Sequence, residues 1–260
     1  MRHLLRAVLL LGALAPTLAF ACGVTAQFRP ANPLLRLAST EAAGTEITFL
    51  GHATFVIASP GGTTAVTDYS GQHAPPDVPD IVTMNHAHST HFTEQPDPRI
   101  RHVLRGWRDD GGPARHDLKV GDMRIRNLPT KIRTWEGGTE RYGNSIFVFE
   151  TGGLCIGHLG HLHHLLTPDD LAELGQLDVV MVPIDGSWTS SQADMVEVLG
   201  QLNPRLILPM HYWSREVLQR FLARMRDKAE IRFAENATIT VSRATLPPAP
   251  EVLVLPGPYF

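Results

Sequence analysis

The chain has 260 residues, 43% hydrophobic and 19% charged, enough apolar material for one large core or two half-size modules sharing an interface. Its formal net charge is -3 and its pI is near 6.5. No Lys/Arg stripe runs along it, so composition argues against a nucleic-acid binder.

Residues 1–21, MRHLLRAVLLLGALAPTLAFA, carry basic Arg2 and Arg6, an apolar run, and Ala19-Phe20-Ala21 in a small-x-small pattern. This predicts a signal peptide cleaved near Ala21 and a periplasmic or secreted protein. Pro16 breaks the apolar run, which is shorter than the ~20 residues a spanning helix needs, so no stable membrane span is expected. Cys22 at the predicted cut permits lipidation, but Ala19 and Phe20 fit a lipoprotein signal poorly. Inside the domain Cys155 lies between Leu154 and Ile156 and reads as a buried strand residue, so no disulfide framework is expected.

Residues 22–44 are Pro/Ala/Thr-rich and read as a leader, and residues 45–260 as a single domain. EITFL, ATFVIAS and TTAVTD are short β-branched and aromatic runs, the last two separated by the turn Pro60-Gly61-Gly62. DIVTM, RIRHVL, DMRIRNL, NSIFVFE and GLCIGHL continue the strand series. After Thr167-Pro168-Asp169-Asp170, a helix start, the pattern changes. DVVMVPI and RLILPM read as strands buried on both faces. Helices follow Ser191 and Ser214, with apolar stripes through Met195, Val198, Leu199 and through Val217, Phe221, Met225. Strands followed by strand–helix alternation predict an α/β architecture of two packed β-sheets with outer helices.

Histidine is the outlier, at 13 residues. MNHAHSTHF places His86, His88 and His91 directly after an apolar strand, where α/β folds put ligands. In extended chain His86 and His88 would point the same way, toward one ion. A second cluster, GHLGHLHH, carries His158, His161, His163 and His164 after the strand GLCI, and His211 ends RLILPM. Three strand ends thus deliver imidazole, a common donor for zinc. His52, in LGHAT, and Asp68, closing TTAVTD, read as residues that orient the ligands.

The order GHATF, HxHxxH, NSIFVFE with HLGH, LLTPDDLAELG, DVVMVPIDG and PRLILPMHY resembles the metallo-β-lactamase-fold hydrolases over roughly residues 46–225. The nearest branch includes ascorbate-phosphate lactonase and the phospholipase D acting on N-acyl ethanolamine phospholipids. The resemblance implies an αββα sandwich with one or two metal ions, usually zinc although another divalent metal would serve, at the sheet edge. It also implies hydrolysis of lactones, phosphodiesters, thioesters or β-lactams, a reach too wide to name a substrate.

Three departures stand out. Thr90 occupies the place of the aspartate in HxHxDH. His161 stands where relatives read HLGD and use the aspartate to bridge two ions. The histidine expected before NSIFVFE is missing from NLPTKIRTWEGGTERYG. Thr90 can neither neutralise a dication nor take up a proton as a carboxylate does, and His161 offers one nitrogen per tautomer where a carboxylate shares two oxygens. Thr90 and Asp185 are the candidate catalytic positions, Asp185 in PIDG and Glu136 being candidate replacement carboxylates with a turn role as the alternative. His86, His88 and His161 would hold a single ion, with His91 and His211 completing or extending the centre.

The expected function is metal-dependent hydrolysis of an ester-like bond in a small molecule by water that the ion makes reactive. The competing reading is a non-catalytic metal- or ligand-binding protein on the same scaffold.

Overall fold

The computed structural model describes residues 22, 44–134 and 136–257. The expected signal segment and nearly all of the leader lie outside the described residues. Five strands come first: β1 (Thr45–Gly51), β2 (Thr54–Ala58), β3 (Thr64–Val66), β4 (Ile81–Met84) and β5 (His102–Arg105). β6 (Asp117–Val120) leads into a long hairpin of β7 (Met123–Arg133) and β8 (Thr139–Thr151), and β9 (Leu154–His158) follows. Strands and helices then alternate through α1 (Pro168–Leu174), β10 (Val179–Pro183), α2 (Gln192–Leu202), β11 (Leu206–Met210) and α3 (Arg215–Met225). The series ends with β12 (Glu230–Phe233), β13 (Thr238–Val241) and β14 (Glu251–Val254).

These strands form two sheets. One has six strands in the order β13-β1-β2-β3-β4-β5, the other eight in the order β12-β14-β11-β10-β9-β8-β7-β6. Side chains alternate between two apolar layers, which is why the central strands read as unbroken hydrophobic runs. Val179 and Met181 face the first sheet's Ile47, Phe55 and Ile57. Val180 and Val182 face the helices, meeting Met195, Val198 and Phe221. The expected two packed sheets with outer helices are therefore present. Among the described residues, every helix that contributes to a core cluster does so on the eight-stranded sheet. On the outer face of the six-stranded sheet, Val66, Val82 and Met84 of β3 and β4 are covered by Tyr69 after β3, Ile100 before β5 and Trp107 after β5.

The helix starts follow local chemistry. Thr167 and Asp170 form a capping box at α1 with Pro168 at its first position. Ser191 and Ser214 accept hydrogen bonds from the backbone N–H groups of Asp194 and Val217. Four strands were not anticipated from the sequence. β6, β12 and β13 are edge strands with exposed, polar positions, so no apolar run announces them. β14 is buried but only four residues long. The stretch 131–143, where the resemblance implied a further histidine, is mostly the paired tip of the β7–β8 hairpin; its Trp135 lies outside the described residues.

The expectation of no disulfide is overturned. Cys22 is bonded to Cys155 on β9, 133 residues away, with Cα atoms 5.9 Å apart. Both residues are buried in the layer between the eight-stranded sheet and the helices. A cysteine count along the chain cannot show that a leader residue returns to a strand so distant in sequence. Cross-linking so long a loop restricts the unfolded chain, and bridges of this kind typically contribute about 2–4 kcal/mol. Cys22→Ser should therefore lower the urea midpoint of the oxidised protein to that of the reduced wild type. Equal midpoints for oxidised and reduced wild type would contradict this.

Candidate metal centre

The ends of β4, β9 and β11 meet at one edge of the sandwich, and the backbone there is held by buried amides. Asn85 sits just past β4. Its Nδ2 donates to Asp68 Oδ1 at 2.8 Å, and its Oδ1 accepts from Ser145 N on β8 at 2.7 Å. Asn144 on β8 accepts from His161 N at 2.7 Å and donates to Thr130 Oγ1 at 2.8 Å. Gly160 makes this approach feasible: its φ is +58°, and a Cβ there would lie 2.3 Å from Asn144 Oδ1 and 2.5 Å from Asn85 Nδ2.

The segment after β4 turns at once rather than running on extended. His91 N donates to His88 O at 2.9 Å, and Asn85 N donates to His91 O at 3.3 Å. This loop carries His88 and His91 inward. His86 goes elsewhere, because its N–H is bonded to Gly143 O on β8. Its Nδ1 lies 3.0 Å from Glu140 Oε1, and its ring stacks on Trp107 at 4.9 Å. The expected pairing of His86 with His88 on one ion is thus corrected: alternation applies to extended chain, and this segment bends.

His211 follows β11 with φ +56°, and its N–H donates to His52 O at 2.7 Å. His52, Asp68 and His211 are three of the four described non-glycine residues with positive φ. That conformation is costly for such residues and concentrates where a site demands it.

Four histidines converge: His88, His91, His161 and His211 each offer one ring nitrogen, and these atoms lie within 4.8 Å of one another. His88 Nε2 is 3.1 Å from His161 Nε2, and His91 Nε2 is 3.2 Å from His211 Nε2. Every Nδ1 is held from behind. Asp68 Oδ2 lies 2.5 Å from that of His91, Asp185 Oδ1 lies 3.0 Å from that of His211, Thr90 Oγ1 lies 2.8 Å from that of His88, and His163 Nε2 lies 2.6 Å from that of His161. No carboxylate belongs to the cluster among the described residues.

This set fits a metal ion. An ionised carboxylate only accepts, so Asp68 and Asp185 hold the ring protons of His91 and His211 on Nδ1 and turn two lone pairs toward each other. A cation relieves that opposition. A proton serves poorly, because burial holds the His91 ring well below its usual pKa, with His211 and His88 adding to the effect. Burial also pushes the Asp68 carboxyl up, opposed by His158 and the Asn85 amide. Against the upward push of burial, Asp185 is held well below the usual carboxylate range by His211, Thr189 and the backbone N–H of Ser187.

Each remaining expected site residue has a definite place. Thr90 Oγ1 bridges His88 Nδ1 and His52 Nε2, both at 2.8 Å, so it backs two imidazoles where an aspartate was expected. Asp185 is no replacement ligand: Ser187, Trp188 and Thr189 donate to it through their backbone N–H groups, besides His211. His52 lies 4.3 Å from His211 between ring centroids, tilted against it by 42° and outside the four-nitrogen set. His158 is buried and bonds Ala53 O at 2.9 Å through Nε2. Arg133 is occupied by His163 and by the carbonyls of Ser187 and Thr189, and so serves as a strut between the hairpin tip and the segment after β10. Asn85 and Asn144 escaped the sequence reading, since a polar residue beside a strand end carries no periodic signal; His163 was read only as a member of the second cluster, without a role of its own. Beside the cluster lies a cavity of about 390 Å³ lined by His88, His161, His163, Arg133 and Trp188 among others; Trp188 is about half exposed.

A family model for a β-lactamase superfamily domain matches residues 46–211. The chain belongs to this superfamily. A UPF0173 protein of Pyrococcus abyssi is 25% identical over 205 residues, covering 70% of this chain and 92% of that protein. A UPF0173 metal-dependent hydrolase of Methanoculleus marisnigri is 27% identical over 207 residues, covering 72% and 92%. Among solved structures, a candidate Zn-dependent hydrolase of the metallo-β-lactamase superfamily from Thermotoga maritima superposes with a TM-score of 0.61 at 27% identity, covering 82% of this chain and 99% of that one. Within the superfamily's fold, then, this member's four clustered donors are all histidine.

Two predictions follow from this geometry. Asp68→Asn, which tolerates the positive φ at this position, should weaken zinc binding about 10–100-fold in chelator competition, because it removes the charge that orients His91. Wild-type affinity would show that the carboxylate does not tune the site.

The second concerns acid. In the metal-stripped protein, burial holds His52 down to about 3 and His163 down to about 4, from 6.5, and lowers His88, His91 and His158 as well. Below pH 6.5 the unfolded chain takes up protons that the folded chain refuses, so stability falls as pH falls. The thermal midpoint of chelator-treated protein should drop continuously from pH 7 to pH 4. A flat profile between these values would contradict this.

Proposed function

We propose that this protein is an exported metal-dependent hydrolase that cleaves an ester-like bond, such as a lactone or phosphodiester, in a small molecule. It uses a single-ion, histidine-only centre. The observation that carries the reading is the convergence of four imidazole nitrogens beside an open cavity of about 390 Å³, a volume suited to a small molecule. Relatives described as metal-dependent hydrolases support it, as does the Thermotoga maritima structure. Imidazole donors suit zinc, copper or nickel better than magnesium or calcium, and zinc is the ion proposed.

The donor set also suits one ion better than two, since no carboxylate in it can bridge. A bound divalent ion supplies Lewis acidity, polarising an ester-like oxygen and making water acidic enough to react near neutral pH. The chain's own residues do the rest. Asp68 and Asp185 orient His91 and His211, the Thr90 hydroxyl orients His88, and Trp188 walls the cavity in which the substrate would lie. Export is supported by the first 21 residues and by the Cys22–Cys155 bridge, a bond that persists in oxidising compartments. A sulfur in that bridge is also not free for lipidation.

A second reading, metal holding without hydrolysis, is favoured by one observation: no carboxylate stands among the clustered donors to take up a proton. The two are separated by metal analysis of protein recovered from the periplasm or medium, run beside a screen of lactone, phosphodiester and β-lactam substrates with and without chelator. The expected result is about one zinc per chain and chelator-sensitive turnover. Metal without turnover selects the second reading, and less than about a tenth of an ion per chain after zinc loading overturns both.

A further inference from the structure

The four clustered histidines are not equivalent, and the difference begins at the tip of the β7–β8 hairpin. Arg133 donates to His163 Nδ1 twice, from Nε at 2.9 Å and from its backbone N–H at 3.3 Å. A guanidinium and a peptide N–H can only donate, so His163 Nδ1 is an acceptor. The proton of the neutral His163 ring therefore sits on Nε2. That N–H faces His161 Nδ1 at 2.6 Å, which makes His161 Nδ1 an acceptor as well.

The consequence passes along the chain of rings. With its Nδ1 accepting, neutral His161 carries its proton on Nε2, the atom 3.1 Å from His88 Nε2. His88 accepts there and donates from Nδ1 to Thr90 Oγ1 at 2.8 Å, and the Thr90 hydroxyl donates to His52 Nε2 at 2.8 Å. Every link from Arg133 to His52 has one donor and one acceptor, and the direction is set by the residue at the start, which cannot reverse. At His91 and His211 the order is opposite, because carboxylates stand behind them. Three of the clustered rings thus present a lone pair to the centre, and His161 alone presents an N–H.

We propose that His161 is not a ligand of the ion but a hydrogen-bond donor beside it, its tautomer set by the positioning residues Arg133 and His163. His88, His91 and His211 supply the ligating nitrogens, the ion replacing the His161 N–H as partner of the His88 lone pair and leaving that N–H free to donate elsewhere. This rests on the metal-centre reading above and deepens it. His161 and His88 both line the cavity of about 390 Å³, so the His161 N–H stands where a substrate enters. It selects for substrates with an acceptor oxygen at the reacting position, such as a carbonyl or phosphoryl group, and a ring bound to metal through that nitrogen could not do so.

The test reads zinc binding and tautomers without activity. Zinc affinity is measured by chelator competition for wild type, His161→Gln, His161→Leu and His211→Leu. The two His161 variants should keep wild-type stoichiometry with affinity within about fivefold, whereas His211→Leu should lose about a hundredfold or more. In parallel, ring-nitrogen NMR of wild type labelled with 15N-histidine, loaded with zinc, should show His161 and His163 as Nε2–H tautomers. In Arg133→Met, His163 should no longer be held in that form. A zinc-ligated Nε2 at His161, or a loss in His161→Leu equal to that in His211→Leu, overturns the proposal and leaves the metal centre standing. Should the leucine variant fail to fold, the wild-type spectrum decides. No zinc bound by wild type overturns both readings.

Discussion

The site depends on two buried amide side chains at one edge, one tying the two sheets together and one tying β8 to the segment beyond β9. Asn85, beyond the end of β4, accepts from the β8 backbone at Ser145, and Asn144 on β8 accepts from the backbone of His161 beyond β9. These groups are buried, and a buried amide that loses its partner costs roughly 1–3 kcal/mol. Sliding one sheet over the other would break the bond from Ser145 N to Asn85, together with those from His86 N to Gly143 O and from Ser145 Oγ to Gly106 O. Because Asn85 also holds Asp68, which holds His91, the same lock fixes two of the clustered rings. The apolar layers on either side of the eight-stranded sheet supply the bulk of the burial, but they are non-directional. The amides convert a sandwich into a frame with one defined edge.

On that frame the chemistry is governed by what stands behind each imidazole. Two carboxylates, one hydroxyl and one further histidine occupy the four Nδ1 positions; the carboxylates keep the ring proton of His91 and His211 on Nδ1. Charge is therefore kept behind the rings, on the far side of each imidazole from the converging nitrogens, rather than among them. A centre built this way would hold an ion through neutral donors, with Asp68 and Asp185 behind the rings to balance its charge. That differs from a carboxylate-bridged pair of ions, and it follows from Thr90 and His161 standing where the resemblance implies aspartate.

The sequence by itself determined the layers and the edge. The apolar runs of β10 and β11, the capping residues of the three helices, and histidine at the ends of three strands were all legible, because burial and capping act over a few neighbouring residues. It did not determine which histidines meet. His86 and His88 are two apart and looked equivalent, yet a backbone bond to Gly143 on β8 and a loop that closes on itself send them different ways. Asp185 read as a spare carboxylate and proved to be fully engaged in its own turn and with His211. Cys22 and Cys155 read as unrelated residues and are bonded. In each case the deciding partner lies dozens of residues away or on another strand, or is a backbone group, and neither leaves a mark in local sequence. Local free energies chose the elements; only the packed chain, bringing remote donors and acceptors within 3 Å or so of one another, decided the direction of each ring and hence the chemistry of the site.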